Sequence, residues 1–140
     1  MEPKVFLDTA YAIALSSEED SLHELALRIA DDLEEQQTAM VTTRAILLEI
    51  GNALSKKRFR HAAVALLQAL ESDPKVEIVP FSQELGDKGF DLFRKRPDKD
   101  WGLIDCVSFI VMQEQGITQA LTTDDHYRQA GFQVLMRQLA

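Results

Sequence analysis

Short apolar runs alternate along the chain with stripes at helical spacing. Val5-Phe6-Leu7 is an apolar run closed by an acid, which predicts a buried strand. Leu22, Leu25, Ala26, Ile29 and Leu33 keep helical spacing, with Asp20 or Ser21 placed to cap the helix they define. Ala39-Met40-Val41-Thr42 reads as a second strand, and Ile46, Leu47, Ile50 and Leu54 mark one face of the helix after it. A further helix spans about His61 to Leu70 and stops before Asp73-Pro74. Val76 to Pro80 is a third strand, and Ser82 caps a helix that turns Leu85, Gly89, Leu92 and Phe93 inward. Leu103 to Met112 is apolar nearly all round, so a buried helix is expected there. Gln119 to Thr122 and Gln133 to Met136 are the last strands, separated by a short helical segment.

Strands that alternate with helices imply βαβ units and a parallel sheet. With no linker, repeat or low-complexity stretch, residues 1–140 are expected to form one α/β domain with helices on both faces of the sheet, a three-layer α/β/α arrangement. The chain is 46% apolar and 27% charged, which supports a core and excludes disorder for its body. No apolar run is long enough to span a membrane. The single cysteine, Cys106, allows neither an internal disulfide nor a cysteine zinc site, and no signal peptide opens the chain, so a reducing cytoplasm is the expectation.

The net charge of −8 argues at first against a nucleic-acid partner. Its distribution weakens that argument. Residues 18–35 hold eight acids against Arg28 alone, while 56–60 and 94–99 together hold eight of the fifteen Lys and Arg residues. Each basic cluster fits either a phosphate-binding patch or a solvated helix end.

Asp8 directly follows the first strand, and Asp124 follows the strand at 119–122 after Thr123. In a parallel sheet both lie on the carboxyl edge, where ligand sites form at the point of strand-order reversal. Glu49, in the helix after the second strand, and Asp105, in the first turn of the apolar helix, can reach the same edge. Each acid also has a plain structural reading. Asp8 or Asp124 could cap a helix, Glu49 could be an exposed helical acid, and the helix dipole could account for Asp105. Taken together, acids at that edge without nearby cations point to a bound divalent metal.

These segments resemble the PIN-domain ribonucleases, a family that includes the VapC-type toxins of bacterial toxin–antitoxin pairs. Val5-Phe6-Leu7-Asp8-Thr9 is similar to the first acidic motif of that family, and Leu48-Glu49-Ile50-Gly51-Asn52-Ala53-Leu54 to the motif with its glutamate. The stretch from Asp98 to Phe109 resembles the third block, with Asp105 in the metal position. Leu121-Thr122-Thr123-Asp124-Asp125-His126-Tyr127, ending in Ala130-Gly131-Phe132, resembles the closing block. The resemblance implies a five-stranded parallel sheet and an acidic quartet of Asp8, Glu49, Asp105 and Asp124 that binds Mg²⁺ or Mn²⁺. It implies accessory roles for Thr9, Asn52 and Thr123, with Asp100 and Asp125 as candidate extra acids, whereas Gly102 stands where the family often has a hydroxyl residue. It also implies an RNA substrate, an antitoxin partner and a homodimer.

The chemistry agrees with the resemblance, since all-oxygen sites suit hard cations and metal-acidified water can attack a phosphodiester. Phosphate contacts must come from bases: Lys56, Lys57 and Arg58 beyond the Glu49 helix, or Arg94, Arg96 and Lys99 before Asp105. Lys56 is expected to share a helical face with Glu49 and Asn52. His23, His61 and His126 lack metal-ligand spacing and read as surface residues, Cys106 as an inert buried group, and Trp101 as a packed anchor. Two rival readings are a phosphatase-like phosphoryl-transfer domain and a non-cleaving RNA-binding or scaffold domain. The first often needs an acid two residues after Asp8, where this chain has Ala10.

Overall fold

The computed structural model describes residues 1–136. Five strands form one sheet: β1 (Lys4–Leu7), β2 (Ala39–Thr43), β3 (Val76–Val79), β4 (Gln119–Leu121) and β5 (Gln133–Val134). All pairings are parallel and the order is β3-β2-β1-β4-β5. The chain therefore steps outward from β1 to β3, then returns to place β4 on the other flank of β1. The carboxyl ends of β1 and β4 form the switch point, where adjacent connections diverge and leave a crevice.

Among the described residues, seven α-helices cover the sheet: α1 (Thr9–Ser16), α2 (His23–Glu35), α3 (Arg44–Ala53), α4 (Arg60–Ser72), α5 (Gln83–Lys95), α6 (Leu103–Gln115) and α7 (Asp125–Gln129). They pack in two groups, α1 with α2, α3 and α4, and α5 with α6 and α7. Val5, Phe6 and Leu7 are buried on both faces of the sheet, which is why β1 is a continuous apolar run and not an alternating one. Phe109 is the hub of an aromatic cluster, edge-on to Trp101 and to Tyr127 with ring centroids 5.1 and 5.0 Å away. The start of α6 and the whole of α7 are thereby held against the end of the sheet.

The structure corrects the sequence pattern in several places. Helix α1 has no counterpart in that pattern, because Thr-Ala-Tyr-Ala-Ile-Ala-Leu-Ser carries no polar stripe from which to read a period. Phe93 is 44% exposed, although its helical spacing points inward; the buried face of α5 is narrower and centres on Leu85 and Gly89. Leu103 is likewise exposed, so α6 is not buried all round. Strand β5 ends at Val134, short of Met136, and β3 ends before Pro80. Helix α3 ends at Ala53 with Leu54 as its cap, and a 3-10 turn occupies Lys57–Phe59. Lys56 thus lies outside the helix and shares no helical face with Glu49 and Asn52.

Candidate active site

Asp8 occupies the N-cap position of α1, yet its side chain makes no capping bond. Its carboxylate turns across the sheet edge instead, where Oδ2 accepts a 2.6 Å hydrogen bond from the Thr122 hydroxyl. The parallel register that pairs Leu7 with Leu121 makes these two residues neighbours one step beyond the sheet. The same Thr122 oxygen accepts the Asp124 backbone N–H at 3.0 Å, so one buried hydroxyl ties the two acid-bearing loops together. Burial pushes the Asp8 carboxyl up to about 6; the Thr122 hydrogen bond opposes this, and the negative charge of Glu49 adds to it. The Tyr127 hydroxyl is buried beside Asp8 and Ser108 with no hydrogen-bond partner among the described residues.

Glu49 is half-buried on α3, and its carboxylate accepts a hydrogen bond from the Thr9 hydroxyl. Asp105 lies in the first turn of α6, where its Oδ2 accepts the Gly102 backbone N–H at 3.1 Å. Asp124 does cap α7, its Oδ1 accepting the His126 backbone N–H at 2.9 Å. The imidazole of His126 then folds between two acids, with Nδ1 3.1 Å from Asp105 Oδ2 and 3.4 Å from Asp124 Oδ1. Asp105, Asp124 and His126 each offer one ligand atom within 4.8 Å of the other two. Asp8 and Glu49 stand outside that cluster; Asp8 feels the charge of Glu49, and Asp8 alone is joined to the Asp124 loop through Thr122.

The structure gathers Asp105 and Asp124, and connects Asp8 to Asp124 and Glu49 to Asp8. His126, expected at the surface, faces the acids; the signal was the Asp124-x-His126 spacing at a helix start, which points both side chains the same way only once Asp124 caps the helix. Thr122, not the exposed Thr123, contacts an acid. Asn52 and Asp100 are exposed. Asp125 is also exposed, and it pairs with Arg128 at 3.1 Å.

The two basic clusters differ. Arg94 and Lys95 both pair with Asp91, at 2.6 and 2.7 Å, and Arg96 pairs with Asp98 at 2.9 Å. Arg96 and Lys99 also lie over the Trp101 ring, 5.1 and 6.0 Å from its centroid. Trp101 itself is packed, 6% exposed, with its indole N–H donating to Gln129. Lys56, Lys57 and Arg58 are exposed and make no ion pair among the described residues, Arg58 lying over Phe59. Cys106 is buried and burial pushes its thiol up, as an inert core residue requires.

A doubly wound parallel sheet with acids at its switch point is the frame of a PIN-type domain, and the sequence comparison agrees. The PIN domain family profile matches residues 5–133, and the chain belongs to that family. Among curated proteins it is 25% identical over 128 residues to the 23S rRNA-specific endonuclease VapC20 of two strains of Mycobacterium tuberculosis, covering 91% of this chain and 95% of theirs. The crystal structure of Mycobacterium tuberculosis VapC20, described as a sarcin-ricin loop cleaving toxin, superposes with a TM-score of 0.80 at 25% identity over the same shares. VapBC2 from Rickettsia felis, solved bound to a DNA fragment from its promoter, shares the fold, with a TM-score of 0.69 at 13% identity over 94% of this chain and 96% of that one.

Proposed function

We propose that this protein is a divalent-metal-dependent endoribonuclease and the toxin of a VapC-type toxin–antitoxin pair, with residues 1–140 as a single nuclease domain. The observation that carries the reading is the convergence of Asp105 and Asp124 at the switch point of a PIN-domain sheet, with Asp8 tied to the Asp124 loop through Thr122. The donor set fits a hard divalent ion: carboxylate oxygens dominate it, and Asp105, Asp124 and His126 already converge without one. Asp8, Glu49, Asp105 and Asp124 are the residues we assign to hold Mg²⁺ or Mn²⁺. Bound there, the ion supplies an acidified water and an electrophile for phosphoryl oxygen.

The protein's own groups do the rest. Thr122 and Thr9 orient the Asp8 and Glu49 carboxylates by donating to them. Buried Tyr127, packed edge-on against Phe109, lies beside Asp8 on the inner side of the site, where low polarity strengthens charge interactions. Exposed Lys56, Lys57 and Arg58 supply phosphate contacts, and Arg94, Arg96 and Lys99 form a second, partly neutralised patch. We further propose a homodimer, an antitoxin partner whose basic side chains enter the acidic cleft, and a cytoplasmic setting. No helix among the described residues is long and apolar enough to cross a membrane.

Cleavage of an RNA oligonucleotide with Mn²⁺, and its loss in EDTA, tests the assignment; a sarcin–ricin loop hairpin is the first substrate to try. Binding without cleavage under saturating Mn²⁺ would establish the non-cleaving alternative. Replacing Lys56, Lys57 and Arg58 with alanine is expected to weaken RNA binding across sequences. It should also flatten the log–log salt dependence by about 0.7 for each phosphate that the variant no longer neutralises. An unchanged slope would transfer the phosphate-binding role to the patch at 94–99.

A further inference from the structure

Among the described residues, the imidazole of His126 is the one side-chain nitrogen brought among the acids, and neither the family resemblance nor the spacing of the histidines gives it a task. Its position is built and not incidental. Helix α7 begins with Asp124 capping the His126 N–H, so the backbone that carries the imidazole is fixed by one of the acids it faces. Tyr127, the next residue, is fully buried and packs edge-on against Phe109, which stops α7 from rolling. Nδ1 is thereby held 3.1 Å from Asp105 Oδ2 and 3.4 Å from Asp124 Oδ1, in a half-buried pocket. The other two histidines lie elsewhere, His23 bonded through Nδ1 to the Ala14 carbonyl and His61 exposed on α4.

We propose that His126 is a direct metal ligand, with Nδ1 completing a two-carboxylate, one-imidazole set with Asp105 and Asp124, and that this nitrogen makes the site prefer Mn²⁺ over Mg²⁺. The inference rests on the metal-dependent reading above and specifies the ion for it. Mg²⁺ is satisfied by carboxylates and water and gains little from imidazole. Mn²⁺ takes the same oxygens but, as a first-row transition ion, also binds nitrogen. A plain alternative exists: the imidazole could serve only as a hydrogen-bond donor that separates two carboxylates in the metal-free protein. The two roles have opposite signs. Removing a ligand weakens metal binding, whereas removing a competitor for the carboxylates strengthens it.

The test is calorimetric titration of Mn²⁺ and, separately, Mg²⁺ into the full chain, wild type and His126→Ala, with the melting temperature in EDTA as the check on folding. His126→Ala is expected to lower Mn²⁺ affinity by about tenfold or more, the loss that follows even from residues one layer removed from a metal. Mg²⁺ affinity should change by less than about threefold, so that the Mn²⁺ preference collapses. Pulsed EPR of the wild-type Mn²⁺ complex should show nitrogen coupling from a bound imidazole, and this readout needs no variant to fold. Unchanged or tighter Mn²⁺ binding by His126→Ala, or no nitrogen coupling in the wild type, overturns the ligand assignment while leaving a metal-dependent nuclease in place. Failure of the wild type to bind either ion overturns the metal reading itself, and the ligand assignment with it.

Discussion

Asp8→Asn is expected to abolish RNA cleavage and, at the same time, to make the metal-free protein more stable at neutral pH. Asp8 is only 6% exposed, and its carboxyl is pushed from the ordinary 3.8 to about 6 by burial. A buried acid whose pKa rises on folding destabilises the fold wherever it must ionise. Below about pH 4 the carboxyl is protonated in both states and contributes nothing. Between about 4 and 6 the unfolded chain ionises first, so stability falls as pH rises; above 6 the cost levels off at about 3 kcal/mol. The asparagine variant carries no such charge and can still accept the Thr122 hydrogen bond through its amide oxygen. In melting experiments in EDTA the wild type should therefore lose stability relative to Asp8→Asn as the pH rises from about 4 to about 6, and the gap should then hold constant to about pH 7.5. The same variant should lose much of the Mn²⁺ stabilisation, which reaches about 2.7 kcal/mol at a hundredfold excess over Kd when a ligand binds only the folded state. Identical pH slopes in the two proteins would mean that Asp8 is not the buried charge described, and wild-type cleavage by the variant would remove it from the site.

The second large effect is one of packing. Gly89 sits where α5 crosses α6, and a Cβ there would stand 2.6 Å from Val107 Cγ2 and 3.3 Å from Val107 Cα. Val107 is 2% exposed, and a valine in a helix has essentially one side-chain rotamer, so it cannot step aside. Overpacking of this kind costs about 1–3 kcal/mol, while alanine in place of glycine returns about 1 kcal/mol of helix propensity. The clash wins, and Gly89→Ala is expected to lower the melting temperature by roughly 3–6 °C. In a Val107→Ala background the Cγ2 contact is absent and only the backbone contact at 3.3 Å remains, so the cost of Gly89→Ala should shrink relative to its cost in the wild type. Gly86→Ala on the same helix meets only the ring of exposed Phe81, at 3.3 Å, and is the control expected to be neutral or stabilising. Because α6 also carries Asp105, two residues before Val107, the Gly89→Ala protein should show a weakened Mn²⁺ response beside its lower melting temperature.

Much of this molecule can be read from the sequence alone, because local physics suffices. The central strand β1 is buried on both faces and so appears as an unbroken apolar run. Helix α2 has water on one side and so appears as a stripe. Acids placed directly after strands in an alternating α/β pattern must lie on the carboxyl edge, which locates Asp8 and Asp124 without any tertiary information. What escapes is whatever depends on neighbours distant in the chain. Helix α1 has no polar face, so its period is invisible until α2, α3 and α4 surround it. The strand order β3-β2-β1-β4-β5 and the register of Leu7 with Leu121 are tertiary facts, and they select Thr122 over Thr123 as the hydroxyl on Asp8. The end of α3 at Ala53 takes Lys56 off the Glu49 face, and ion pairs with Asp91 and Asp98 occupy Arg94 and Arg96 in a way their clustering conceals. His126 is 21 residues from Asp105, and only the cap at Asp124 together with the burial of Tyr127 turns its imidazole inward. Periodicity and strand-end acids are set by the residue and its immediate neighbours. The partner of a charged or hydrogen-bonding side chain is set by which loops the folded sheet brings together.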